Sequence, residues 1–343
     1  MRLRPALVSA ALVSAGLGAV PATVAATDAT PRPGVRFSST DVVATTPVTV
    51  TVDPGTRPRG ARFVLQRRYL DGWRTADRHA QPTRRGVVLD VPTDQFGRFR
   101  FRVAAVARSG DVVSASPVER VRVRPRYRPV GSSTAYVFSA RPRIRWDSCR
   151  PIRWAFYPHH SPRLALRQLK DGFRRMHRAT GLDFDYAGRT GHKPVPAGRD
   201  LPGIDVVVGW RTAQDYRAFH RHDDVVGVGG NSFYSGYQEA DGTEVGKIFR
   251  GGVVLNADQD YRVTNGFGRG YTWGEVIEHE LGHVVGLDHP DNTRQIMYYS
   301  VTRRNADWGA GDLAGLRQVG SVRGCLSRIS GPQAAIGRSV ARH

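Results

Sequence analysis

Near the C-terminal end of the chain, three histidines and a glutamate stand in a spacing suited to metal chemistry: His279-Glu280-Leu281-Gly282-His283-Val284-Val285-Gly286-Leu287-Asp288-His289. On a helix, His279 and His283 lie one turn apart on the same face, separated by roughly 40° of rotation, so both imidazoles can grip one ion. Glu280 sits beside them, in reach of the proton of a water polarised by that ion. His289 cannot come from the same helical face, so the chain must turn before it. Gly286 stands where the turn is needed, because glycine enters the left-handed conformation without a Cβ clash. Three neutral nitrogens leave a fourth tetrahedral position open, which is the catalytic rather than the closed structural arrangement of zinc.

The pattern H-E-x-x-H-x-x-G-x-x-H, followed by Ile296-Met297-Tyr298-Tyr299, resembles the metzincin metallopeptidases and is most similar to their matrixin-type branch, as found in secreted bacterial peptidases. The resemblance implies Zn2+ held by His279, His283 and His289, and peptide-bond hydrolysis by a metal-activated water. It further implies Glu280 as the group that takes the water proton and passes it to the leaving amine, with Met297 in a turn beneath the metal. A bare HExxH recurs by chance in helices, whereas the extended form with its glycine and downstream methionine is specific. In some metzincin branches a tyrosine two positions after the methionine approaches the zinc, and Tyr299 has that offset. Matrixins usually carry proline there, so Tyr299 is either a hydrogen-bond donor to the transition state or a wall of the specificity pocket. No Pro-Arg-Cys-Gly-like propeptide segment accompanies the pattern, which leaves the restraint on activity open.

The rest of the chain must position this stretch. At 343 residues it has room for two domains, each with its own core. Residues 1–26 read as a signal peptide: Arg2 and Arg4 are charged, Pro5 to Val20 is apolar and small, and Val24-Ala25-Ala26 offers a cleavage site. An uncleaved anchor is the alternative, and either places the remainder outside the cell. Cys149 and Cys325 are the two cysteines. In an oxidising compartment they suggest one disulfide joining the start and end of the catalytic region, with two free thiols as the alternative. The net charge of +21 rests mainly on arginines spread along the chain. It suits an anionic cell-surface polymer or a merely solvated surface, and no nucleic-acid-binding signature accompanies it.

Residues 27–38, rich in Thr, Pro and Ala, read as a linker. Over 39–124 the apolar period is two. Val48, Val50 and Val52, Phe63 and Leu65, Phe99, Phe101 and Val103, and Val121 and Val123 alternate with other residues between turn signals. This predicts an all-β antiparallel sandwich, similar to immunoglobulin-like or fibronectin-type modules. Trp73 reads as a core or hairpin residue. Residues 125–133 form a second linker.

The catalytic region, 134–330, is predicted as an α+β metzincin-like domain with a mixed sheet, a zinc-binding helix and a C-terminal helix. Ile152 to Phe156 reads as a strand. A helix follows, capped by Ser161 with Pro162 at its first position, striped by Leu166, Leu169, Phe173 and Met176, and ended by Gly181. Strands are expected at Gly203 to Trp210, Val225 to Gly230 and Gly252 to Asn256. The second is either the edge strand that holds an extended substrate or a central strand with turn glycines. Thr272 to Glu275 leads into the zinc helix, whose Val276, Ile277, Leu281 and Val284 face the core. Trp308 to Val322 reads as the last helix, and 331–343 as an unpacked tail.

Two further clusters carry ligand-type side chains. His220-Arg221-His222-Asp223-Asp224 is a candidate second metal site. Glu239, Asp241 and Glu244 around Gly242 form a candidate Ca2+ loop without the EF-hand pattern, or a solvated hairpin. The function expected is that of a secreted zinc-dependent endopeptidase acting on protein or peptide. The alternatives are a secreted surface-binding protein with an idle or structural metal site, and a zinc hydrolase of cell-wall amides.

Overall fold

In the computed structural model the described residues are 32–83, 86–221, 224–260, 262–302, 306–329 and 335–340. The expected signal peptide lies outside them, as do His222 and Asp223. The N-terminal part runs through β1 (Val35–Phe37), β2 (Asp41–Val43), β3 (Val48–Val52), β4 (Arg62–Tyr69), β5 (Gly72–Asp77), β6 (Gln81–Thr83), β7 (Gly86–Val91), β8 (Gly97–Val106), β9 (Val112–Ala115) and β10 (Glu119–Arg124). They form two sheets, ordered β1-β3-β7-β6 and β2-β10-β8-β4-β5, with β9 on β8. Val50, Val52, Leu65, Phe101, Val103 and Val121 meet in the core between them. Alternating residues of a strand point to opposite faces, so period-two valines line one inner surface.

Two expectations are corrected here, and a third feature is new. The sandwich is not wholly antiparallel, because β2 runs parallel to β10. The first linker is shorter than expected, since Val35–Phe37 pairs with β3. β4 is buried on both faces: Val64 joins Ala104 and Val106 in a small cluster of its own. Trp73 lies in the β4–β5 hairpin, half-buried, with the Arg102 guanidinium 4.4 Å from its ring centroid.

The segment 125–133 has no regular structure but is held at several points. Tyr127 packs edge-on against Phe96, and Val130 O accepts from Ala310 N at 2.7 Å. The catalytic region then runs through β11 (Val137–Phe138), β12 (Ile144–Trp146), β13 (Ile152–Tyr157), α1 (Ala165–Thr180), β14 (Phe184–Arg189), β15 (Val206–Arg211) and α2 (Arg217–Arg221). The hairpin β16 (Gly227–Gln238) and β17 (Glu244–Asn256) follows, then α3 (Trp273–Val284), β18 (Leu287–Asp288), α4 (Ala310–Val319), β19 (Ser327–Arg328) and β20 (Ile336–Val340). The main sheet has the order β14-β13-β15-β17-β16-β19, with β12 on β17 and β20 on β16. Its first four strands are parallel, and β16 runs against them. The mixed sheet is therefore as expected, although β14 was not read from the sequence and β16 and β17 extend well beyond the predicted strands.

α1 and α3 pack together on the sheet. Leu169, Phe173 and Met176 of α1 share a core with Ile277, Leu281 and Val284 of α3 and with Trp146, Trp154, Trp210 and Trp273. α1 begins later than predicted. Its N-cap is Leu164, and the Ser161 hydroxyl donates to Pro158 O at 2.7 Å instead of capping the helix. At its other end Gly181 is left-handed, at φ 71°, as expected of a C-cap.

The tail is the largest correction. Ile336–Val340 is a strand on the edge of β16, because an edge strand offers unpaired main-chain groups to any extended segment in reach. α4 is also shorter than the predicted helix, with Trp308 buried ahead of it and a 3-10 turn at Ser321–Arg323 behind it.

Candidate metal centre

α3 begins at Thr272, whose hydroxyl accepts from Glu275 N at 3.2 Å, and every residue from Trp273 to Val284 is buried. A helix so enclosed must have its last carbonyls satisfied from outside. Asn231 of β16 donates its Nδ2 to His283 O at 2.9 Å, and Trp146 donates its Nε1 to Val284 O at 3.0 Å. Gly286 then turns the chain at φ 107°, where a Cβ would press on Ile144 O. β18 pairs with β11 immediately beyond, and this short ladder delivers His289 back toward the helix.

The three predicted ligands converge. His279 Nε2 and His283 Nε2 are 3.1 Å apart, His279 Nε2 and His289 Nε2 3.1 Å, and His283 Nε2 and His289 Nε2 3.0 Å. Nδ1 of His279 lies 2.8 Å from Ile296 O, and Nδ1 of His283 lies 2.9 Å from Leu287 O. A carbonyl only accepts, so both Nδ1 atoms carry the proton and both Nε2 atoms present lone pairs. Burial lowers the pKa of His289, with Asp288 opposing, which favours its neutral form as well. Lone pairs aimed at one point repel unless a cation stands among them. The donor set is the one Zn2+ takes with three protein nitrogens.

Glu280 is buried next to these ligands, beneath the start of β16. Gly227 leaves just enough space for the Glu280 carboxylate, and Gly229 lies against the Glu280 main chain. Burial pushes the Glu280 pKa up to about 8, and a hydrogen bond from the Gly229 backbone opposes the rise. Tyr216, half-buried between α2 and the sheet, feels the charge of Glu280. Its pKa is raised by burial first, and Glu280 adds to the rise against Arg211. Nothing in the residue pattern singles Tyr216 out.

Met297 is buried where the resemblance places it. A Cβ on Gly282 would collide with the Met297 sulfur, so the methionine packs against the helix between the two ligand histidines. The turn that carries it hangs from Asp312 of α4. Asp312 Oδ2 accepts from Ile296 N at 2.6 Å and from Gly309 N at 2.9 Å, and Oδ1 accepts from Met297 N at 3.2 Å. Asp312 N in turn donates to Gln295 Oε1 at 2.9 Å. Ile296, held by Asp312 at its N–H, holds His279 at its carbonyl. A single carboxylate thus orients His279 through one residue. Burial lifts Asp312 to about 6 despite its three N–H donors. Sequence reasoning placed Asp312 only within the last helix, Trp308 to Val322. The missed signal was an acid at a core-facing position, with a glycine between the two helix ligands to match it.

The remaining candidates separate. Tyr299 is 59% exposed, and its ring lies 4.4 Å from that of Tyr298. Cys149 and Cys325 form a disulfide. The candidate Ca2+ loop is an ion-pair knot: Glu239, fully buried, accepts from Arg143, from Arg145 Nε at 2.7 Å and from Arg323. Asp241 pairs with Arg323 at 3.2 Å. Glu239 and Asp241 are thus committed to guanidinium groups, and the loop is not a freely solvated hairpin. His220 and Asp224 are exposed and join no metal-type cluster among the described residues.

Comparison with curated proteins gives no match for this chain. The family model for matrixin matches residues 158–319, a span that runs from the end of β13 to the end of α4 and encloses all three histidines, Glu280, Met297 and Asp312. That match, together with the clustered histidines, supports a metzincin-type peptidase domain over residues 158–319.

Proposed function

We propose that the protein is an exported, zinc-dependent endopeptidase. The observation that carries this reading is the convergence of three Nε2 atoms, two of them held in the acceptor tautomer by backbone carbonyls, beside the buried Glu280. Zn2+, when bound by His279, His283 and His289, supplies a Lewis acid that polarises the scissile carbonyl and acidifies water. Glu280 is the group placed to take a proton and return it to the leaving nitrogen. The Gly229 N–H orients its carboxylate, and the surrounding apolar residues keep bulk water from competing. β16 passes directly over Glu280, so an extended peptide lying along that edge would bring its main chain to the carboxylate. A sheet edge accepts the middle of a chain as readily as its end, which favours an endopeptidase. The apolar leader in the sequence and the Cys149–Cys325 bond both suit an oxidising, extracellular setting.

The test is Glu280→Gln on the full chain with an unfolded protein as substrate, with and without a chelator. The variant is expected to bind zinc as the wild type does and to lose at least about a thousandfold in turnover, the scale of a general acid–base group together with its electrostatic contribution. Undiminished proteolysis by the variant, or proteolysis indifferent to the chelator, would overturn the reading.

A further inference from the structure

The β16 edge is already occupied over part of its length. In the pairing of β20 with β16, Val340 faces Gly230, Ser339 faces Asn231, Arg338 faces Ser232, Gly337 faces Phe233 and Ile336 faces Tyr234. At the far end Ser235 N donates to Ala335 O at 3.0 Å, and Ala335 N donates to the Ser235 hydroxyl at 3.0 Å. The near end reaches the metal centre. Gly230, opposite Val340, is next in the chain to Gly229, which lies on the Glu280 main chain, and Asn231, opposite Ser339, caps the ligand helix at His283 O. The strand runs with its Val340 end toward Glu280. A substrate docked in the same direction would have the residues that precede its scissile bond where β20 now lies.

Main-chain pairing is most of what holds this strand. Ile336, Arg338 and Val340 are exposed, Ile336 by 61%. Gly337 lies against the Phe233 ring, and the Ser339 hydroxyl reaches Ser139 O at 3.5 Å. A segment that buries so little apolar surface opens without unfolding the rest of the protein. Its hydrogen bonds to β16 are blind to side chains, so another extended peptide can replace them.

We propose that the chain's own Ile336–Val340 strand is a resident occupant of the β16 edge from Gly230 to Tyr234 and competes with an extended substrate for it. The proposal rests on the peptidase reading above. Tethering gives the strand an effective concentration on the order of millimolar, so even a weak five-residue pairing is expected to reduce substrate access by about tenfold without abolishing it.

Two variants of the zinc-loaded protein test this. One ends after Ile329 and so keeps β19 and the disulfide. The other is Gly337→Glu, whose side chain cannot fit against Phe233. With a fluorogenic unstructured peptide, each is expected to raise kcat/KM by about tenfold through KM, with kcat little changed. The free peptide Ala335-Ile336-Gly337-Arg338-Ser339-Val340 should inhibit the shortened form competitively. A second readout needs no turnover: in the Glu280→Gln background, fluorescence anisotropy should show the same labelled peptide binding about tenfold more tightly once the strand is removed. Equal KM and equal affinity with and without the strand overturn the proposal and leave the peptidase reading standing. Tighter binding on removal, with metal-dependent cleavage absent from every Glu280-containing form, keeps the docking surface and overturns the peptidase reading.

Discussion

The two main cores of this molecule bury different things. Between the sandwich sheets the core is valine, phenylalanine, leucine and alanine. The nearest buried charge, Arg67, is turned aside: its guanidinium lies 3.9 Å from the Phe99 ring centroid and donates to Gln95 Oε1 at 2.7 Å. The core around α3 has as much aliphatic and more aromatic material, yet it also encloses Glu275, Glu278, Glu280, Asp312 and two of the histidines. Burial pushes Glu275 up to about 7 and both Glu278 and Glu280 up to about 8. Charged groups in such a place oppose folding, so their presence needs a positional reason. The sandwich is explained by the hydrophobic effect alone. In the second core, Asp312 and the backbone carbonyls of Ile296 and Leu287 help to bring three nitrogens to one point.

If that contrast is right, damage to the two cores must read out differently. The largest effect is expected from Asp312→Ala, which strands the buried N–H groups of Ile296, Met297 and Gly309. Unsatisfied buried donors cost about 1–3 kcal/mol each and do not add fully, so a loss of about 4 kcal/mol is expected in denaturant unfolding. Because the peptide that holds His279 is released, zinc affinity measured by chelator competition should also fall, by about 10–100-fold. Leu65→Ala in the sandwich comes next, at about 3 kcal/mol for a fully buried leucine, with zinc affinity unchanged. If Leu65→Ala weakened zinc binding as much as Asp312→Ala, the two cores would not be separable and the comparison would fail.

The smallest effect is at the contact between the two parts. His177 Nε2 on α1 lies 2.8 Å from Asp94 Oδ2 on the sandwich side. Burial alone would depress the His177 pKa, but hydrogen bonds to Asp94 and Leu182 outweigh it and raise the pKa above 6.5. Asp94 is held below 3.8 by the hydrogen bond from His177, against burial. The His177 contribution is therefore complete below pH 6.5 and is lost as pH rises through the raised value. The Asp94 contribution is present above pH 3.8 and is lost as pH falls through the depressed one. The pair is expected to add at most about 1 kcal/mol between those limits, since Asp94 is half exposed. Asp94→Asn should flatten the change in unfolding free energy between pH 5 and pH 8; an unchanged slope would show that the contact carries no charge coupling.

Much of this was legible in the residues themselves. Period-two valines announced the inner faces of β3 and β10. The spacing of His279, His283 and His289 with Gly286 announced the three-histidine cluster, and the lone cysteine pair announced its bond. Each of these is a short-range pattern or a matter of counting. What failed had a common cause. Ser161 is a good cap by type, but its hydroxyl found Pro158 O first, and the helix started later. Glu239 looks like a loop carboxylate until Arg143, Arg145 and Arg323 arrive from three other segments. Asp312 is one acid in a helix until the Met297 turn folds over it.

By itself, then, the sequence determined which side chains can hold a metal, which carboxylate can move a proton and which strands face a core. These follow from residue type and from the fixed periods of helix and strand. Only the tertiary structure decided what supports those groups and what lies against them. Asp312 holds Ile296, Gly282 admits Met297, Asn231 closes the ligand helix, and Ile336–Val340 lies along the β16 edge. The physical reason is that these contacts join residues distant in sequence, through main-chain hydrogen bonds and single close approaches that leave no periodic trace.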